Sequence, residues 1–238
     1  MASDGSLATA PANPWVPVSG CGSSCIPAER DRIGRWRFTG RLAALATVAG
    51  LGLLIATAAL CCGRRIRSRY CRALSRWMLT AAGLRLDVVD HRPVHARRLR
   101  GALVVANHIS CLDIPALAAL GPARFVAKRE VLSMGGLAAR PTAAVLRALG
   151  VVTHGRGELR SLPGDVHRVA GILDRGRPVV VFPEGTTWCG IASGRFRPAF
   201  FQAAIDAGVP VLPVRVRYHR SGTPVTGPGY VGTDSLAD

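Results

Sequence analysis

Leu103-Val104-Val105-Ala106-Asn107-His108-Ile109-Ser110-Cys111-Leu112-Asp113-Ile114-Pro115 changes character along its length. Its first four residues form an apolar run of the size of a buried strand. Proline is tolerated early in a helix and not in its interior, so Pro115 places a helix start close to residue 114. Asn107 and His108 lie between the two, just past the C-terminal end of the strand. Open α/β sheets gather their functional groups at that end.

His108 and Asp113 are too far apart for one regular helix, where a five-residue spacing turns the side chains about 140° from each other. They meet only if His108 sits in the turn and Asp113 in the first turn of the helix, with Ser110 or Asp113 as its N-cap. A carboxylate bonded to one imidazole nitrogen fixes the tautomer and leaves the other nitrogen free to take a proton from a hydroxyl. Taken alone, the simpler reading is a structural histidine beside a capping aspartate.

Outward from this stretch, short β-branched runs alternate with helical patterns. Strands are predicted at 85–90, 102–106, 124–127, 151–153, 178–182 and 211–218, and helices at 114–120, 137–148, 158–174 and 198–207. Gly121, Gly150, Gly176 and Gly208 fall where the helices should stop. The alternation predicts an α/β domain over 84–232 with a mixed, largely parallel central sheet flanked by helices. Beyond Tyr218 no further element is expected, and 233–238 reads as a tail.

The N-terminal part differs. Residues 1–28 are rich in Ala, Pro, Ser and Gly without a period and read as a disordered leader. Residues 29–83 read as a membrane-associated segment. Leu42 to Cys62 carries no charge, Pro, Asn or Gln; at about 1.5 Å per residue it spans roughly 30 Å, the hydrocarbon thickness of a bilayer. A core helix of that length would show a polar face, and a signal peptide would lie nearer the start. Residues 64–83, with Ile66, Tyr70, Leu74, Trp77 and Met78 among arginines, read as a basic amphipathic helix suited to an anionic leaflet. Arginines flank the apolar run on both sides, so charge gives no orientation.

The net charge is +17, and Lys128 is the only lysine. A basic chain fits an anionic membrane, an anionic substrate or nucleic acid. Nucleic-acid binding predicts a localised basic motif with stacking aromatics. Here the arginines are dispersed and aromatic residues make up 5% of the chain, which argues against it. Seven cysteines lie at 21, 25, 61, 62, 71, 111 and 189. Cys21 and Cys25 have no histidine nearby, so no metal site is expected and the thiols read as unpaired in a reducing compartment.

Four blocks then appear in order. Asn107, His108 and Asp113 are followed by Gly150-Val151-Val152-Thr153-His154-Gly155-Arg156, by Phe182-Pro183-Glu184-Gly185-Thr186, and by Val209-Pro210-Val211-Leu212-Pro213-Val214. In these, and in Phe125-Val126-Ala127-Lys128-Arg129-Glu130, the chain resembles the glycerolipid acyltransferase family over roughly residues 75–232. The resemblance implies that His108 is the general base on an acceptor hydroxyl and that Asp113 orients it. It implies substrate-binding roles for Asn107, Lys128, Arg156, Glu184, Gly185, Thr186 and Arg197, with Arg156 on the acceptor's phosphate. Acyl-CoA or acyl-carrier protein would be the co-substrate, with no cofactor. The acceptor would be a lysophospholipid, 1-acyl-sn-glycerol 3-phosphate first among them, at the cytoplasmic face of the inner membrane. Intact His108 and Asp113 argue against a non-catalytic lipid-binding relative.

Cys111 and Ser110 sit inside the first block, but the resemblance gives neither a nucleophilic role. The chain departs from the family pattern at Thr187, where lysophosphatidate acyltransferases commonly carry arginine. Arg195 or Arg197 would then supply the missing charge, or the acceptor would be another lysolipid such as lyso-ornithine lipid. The chain also ends sooner after the fourth block than relatives commonly do.

Overall fold

The computed structural model describes residues 16–21, 25, 34–93, 101–129, 150–155, 158–220 and 222–226. The predicted helix at 137–148, Arg156 and the tail at 233–238 lie outside the described residues.

Two helices come first. α1 (Arg35–Leu60) starts earlier than the apolar run, taking in Arg35, Arg37 and Arg41, and α2 (Arg64–Ala81) packs against it. Small residues make that contact possible. Gly52, Ala56 and Ala59 are buried, and a Cβ on Gly52 would stand 2.6 Å from a methyl of Leu74. The Tyr70 hydroxyl donates to the Gly52 carbonyl, tying the two helices further. The other side of α1 leaves Leu42, Leu51, Leu54 and Ile55 exposed. By length and composition, Arg35–Ala56 is long and apolar enough to cross a membrane.

The domain beyond is a parallel sheet. β1 (Leu103–Ala106), β2 (Arg124–Lys128), β3 (Val152–His154), β4 (Val179–Val181) and β5 (Val211–Val214) are arranged β3-β2-β4-β1-β5, and every pair between them is parallel. α3 (Asp113–Leu120), α4 (Leu162–Asp174) and α5 (Ala199–Asp206) connect and cover them. The pleat sorts the side chains. Leu103, Val105, Val179 and Val181 pack with Val169 and Leu173 of α4 and Ala203 and Ala204 of α5, while Val180 joins Ala106, Leu117 and Phe125 in a second cluster. α2 also packs on α3, which joins the N-terminal helices to the sheet domain.

Among the described residues the predicted elements other than 85–90 hold with shifts at their ends, and the strand predicted at 211–218 stops at Val214. α4 begins at Leu162 instead of 158 because Pro163 must stand in the first turn. Both α4 and α5 end in a paired backbone cap. Gly176 (φ +69°) donates to Leu173 and Arg177 to Ile172, and Gly208 donates to Ile205 with Val209 to Ala204. Two expectations need correction. Residues 85–90 form no strand. Leu86, Val88 and Val89 are exposed, and the segment ends where Asp90 accepts the Arg92 amide at 3.0 Å. β-branched residues make a strand only when an edge is available to pair with. Beyond Tyr218, a short antiparallel ladder does form, between β6 (His219–Arg220) and β7 (Thr223–Pro224).

Candidate active site

The C-terminal ends of β1, β4 and β5 open on one side of the sheet, and the first and third blocks meet there. Asn107 follows β1 directly. Its amide nitrogen donates to the Val216 carbonyl at 3.1 Å, and its amide oxygen accepts the Val216 N–H at 2.7 Å. The side chain thus replaces the next rung of the β1–β5 ladder and fixes where the chain leaves the strand.

His108 and Asp113 meet across the turn, with Nδ1 2.9 Å from Oδ2. The helix begins at Asp113 itself, and Leu112 stands at the N-cap with no side-chain bond. Neither Ser110 nor Asp113 therefore caps the helix. The Asp113 carboxylate instead reaches back over the turn, accepting the Ile109 N–H at 2.7 Å and the Ser110 N–H at 2.9 Å on Oδ2. Asp113 is fully buried, whereas the His108 side chain keeps 16% exposure. A carboxylate only accepts, so Nδ1 carries the proton and donates, leaving the Nε2 lone pair for an incoming hydroxyl. The imidazole stacks on Phe182, with centroids 4.1 Å apart and planes 20° from parallel.

Tyr218 is a member of this site that sequence reasoning missed. Its hydroxyl donates to Asp113 Oδ1 at 2.7 Å. Burial first, and then the neighbouring Asp113, push its pKa up, so it remains a neutral donor. β5 stops at Val214, but the alternation runs on past it: Val214, Val216 and Tyr218 are half-buried and Arg215 and Arg217 exposed, which marks the side Tyr218 takes and not its partner. Tyr218→Phe should cost about 1 kcal/mol of orientation, or roughly fivefold in kcat with KM little changed. Steady-state rates at saturating acceptor check this.

The third block holds His108 from the other side. Glu184, buried at the end of β4, accepts the His108 N–H at 2.7 Å on Oε2 and the Gly194 N–H at 3.0 Å on Oε1. Both of these donors are backbone amides, one from each side of the carboxylate. The His108 carbonyl accepts the Trp188 N–H at 2.8 Å. Gly185 has φ +72°, and a Cβ there would lie 2.5 Å from Cγ of Pro17, so residues of the N-terminal stretch lie against this block. Thr186 and Thr187 are half-buried in the same loop.

Burial pushes the Glu184 carboxyl above its usual 4.5, with the two amide donors pulling the other way. A raised folded pKa contributes stability that is complete below the unfolded value and is lost as pH rises through the folded one. The wild type should therefore lose melting temperature upward from about pH 4.5, in the weakly acid range, more steeply than Glu184→Gln does. Parallel slopes in thermal melts of the two proteins across that range would contradict it.

The remaining candidates are more dispersed. Lys128 is exposed at the C-terminal end of β2, paired in register with His154 of β3. Arg156 follows that strand but lies outside the described residues. The Arg197 side chain is exposed, and its N–H donates to the Pro183 carbonyl at 3.0 Å, which keeps it beside the third block. Burial raises the pKa of Cys111 above 9.0, which disfavours the thiolate a nucleophile needs. His154 of the second block belongs to a histidine–aspartate pair that sequence reasoning also missed: its Nδ1 is 2.7 Å from Oδ2 of buried Asp165 on α4, which Arg168 also contacts. The His154 ring packs edge-on against Phe200.

The chain is similar to known acyltransferases. The chain is 37% identical over 165 residues to the 1-acyl-sn-glycerol-3-phosphate acyltransferase of Neisseria gonorrhoeae, covering 69% of this chain and 62% of that protein. It is 38% identical over 166 residues to the lyso-ornithine lipid O-acyltransferase of Pseudomonas aeruginosa, covering 68% and 60%. The chain thus spans about three fifths of the length of these curated relatives. Its fold is like that of the crystal structure of the 1-acyl-sn-glycerophosphate acyltransferase PlsC from Thermotoga maritima, with a TM-score of 0.54 and 23% identity over 75% of this chain and 73% of that one. The family model described as Acyltransferase matches residues 87–217, a span that holds the His108–Asp113 pair and the Glu184 loop that clamps it. With that match over more than half its length, the chain belongs to the Acyltransferase family.

Proposed function

We propose that this protein transfers a fatty acyl group from acyl-CoA or acyl-carrier protein to the free hydroxyl of 1-acyl-sn-glycerol 3-phosphate, giving phosphatidic acid. The observation that carries the reading is the His108–Asp113 pair, with Nδ1 engaged by a fully buried carboxylate and Nε2 left available. Nε2 takes the hydroxyl proton as the oxygen attacks the thioester carbonyl carbon. The C–S bond then breaks, and the departing thiolate recovers the proton from the imidazolium. Asp113 steadies the positive charge on the ring between those two moments. No acyl-enzyme intermediate and no cofactor enter this route.

The membrane is the natural place for it. A lysolipid chain is worth about 0.8 kcal/mol per buried methylene, which a soluble site would have to recover. The exposed apolar side of α1 and the arginine-rich α2 support a chain held at the cytoplasmic membrane, with the site facing the cytoplasm where acyl thioesters are made. Arg156, Lys128 and Arg197 are the proposed cationic partners of an anionic headgroup.

A second acceptor, lyso-ornithine lipid, is favoured by one observation. Thr187 stands where an arginine would otherwise extend the third block, and a relative of similar identity is named for that acceptor. The purified chain should be offered lysophosphatidate, lyso-ornithine lipid and other lysolipids, each with both thioester donors, and the products identified by mass spectrometry. Phosphatidate as main product supports the first acceptor, and diacylated ornithine lipid alone moves the assignment to the second. Turnover of no lysolipid overturns both.

A further inference from the structure

We propose that Cys21, Cys25 and Cys189 form a three-thiolate site for a soft divalent cation, zinc foremost, which pins the N-terminal stretch onto the loop beside the candidate active site. The sulfurs come from opposite ends of the chain, yet all three lie within 4.8 Å of one another. Zinc–sulfur bonds of about 2.3 Å in a tetrahedron place sulfurs about 3.8 Å apart, so a shift of roughly 1 Å closes the site.

Cys189 is 1% exposed and Cys21 6%, with Cys25 half-buried and Trp188 packed against the cluster. Gly190 has φ +90°, and that turn brings the Ala192 N–H onto Cys189 Sγ at 3.3 Å, with the Ile191 amide facing the same sulfur. Amide donors aimed at one sulfur stabilise a thiolate. A disulfide would use two of the sulfurs and leave the third thiol in contact with it, whereas a cation engages all three. Soft thiolates select zinc or a similar ion over magnesium or calcium. Among the described residues no fourth His, Cys, Asp or Glu joins the group, so a solvent molecule or an exogenous ligand completes the coordination.

The site's position gives it a purpose. Pro17 already lies on Gly185, and Trp188, whose N–H holds the His108 carbonyl, immediately precedes Cys189. A cation bridging Cys189 to Cys21 and Cys25 therefore fastens both sides of that loop while taking no part in the reaction. The inference does not depend on which lysolipid is the acceptor.

The full chain, purified in detergent with reductant and exposed to zinc, should retain roughly one ion per chain by elemental analysis. Cobalt in its place should give thiolate-to-metal charge-transfer absorption. Cys21→Ser, which lies outside the segment matched by the family, should lower retained metal at least about tenfold, and Cys61→Ser should leave it unchanged. Equal metal content in Cys21→Ser, Cys25→Ser and the parent overturns the proposal. So does a parent without metal, or a disulfide-linked peptide joining Cys189 to Cys21 or Cys25 in chain isolated under reductant.

Discussion

His108→Ala should lower acyl transfer by about 10²- to 10⁴-fold while leaving the fold in place. The two effects separate because the residue's structural contacts run through its backbone. Its N–H still reaches Glu184 at 2.7 Å, and its carbonyl still receives the Trp188 N–H at 2.8 Å. The ring contributes its stack on Phe182 and its bond to Asp113, and Asp113 Oδ2 keeps its two amide donors when the ring is gone. Initial rates with lysophosphatidate, alongside a thermal melt, make the comparison. Turnover equal to wild type would remove His108 from the chemistry.

Asp113→Ala should be worse, since it removes rate and stability together. Four donors converge on this carboxylate: the His108 ring, the amides of Ile109 and Ser110, and the Tyr218 hydroxyl. Without an acceptor, the buried donors cost about 1–3 kcal/mol each, and not additively, so a total of about 3–5 kcal/mol is expected. Asp113→Asn divides the two roles. Its oxygen can serve the three N–H donors, and the Tyr218 hydroxyl can turn to accept from its amide. Stability should then fall by only about 1–2 kcal/mol. The negative charge that stabilises an imidazolium is gone, and a comparable change in another histidine–carboxylate system costs about 10⁴ in kcat. A near-wild-type kcat in a folded Asp113→Asn protein would contradict the role given to the carboxylate.

Much of the fold was legible because local patterns carry it. The apolar run at 103–106 and the proline at 115 place a strand, a turn and a helix start, the one arrangement in which His108 and Asp113 can meet. The β4 run and the helices around it are as plain. The failure at 85–90 has the same root, since β-branched composition was read without a partner edge to test it. What stayed hidden is long-range. Nothing local says that the Asn107 amide will lock onto Val216, that Tyr218 will reach Asp113, or that His154 will find Asp165 on the next helix. Cys21 and Cys25 read as isolated thiols because Cys189 reaches them only through the folded loop. Charge was legible in amount and not in placement: arginines are everywhere in this chain, and only the fold distinguishes Arg197, beside Pro183, from the rest.

The clamp on His108 ties the first and third blocks into one mechanical piece, although they are far apart in the chain. Its amide rests on Glu184 and its carbonyl on the Trp188 amide, so neither block can shift without carrying the other. In free-energy terms the two blocks are therefore not independent variables. A change in the Glu184 loop and a change at the histidine draw on the same few bonds, and their combined penalty should fall short of the sum of the separate ones.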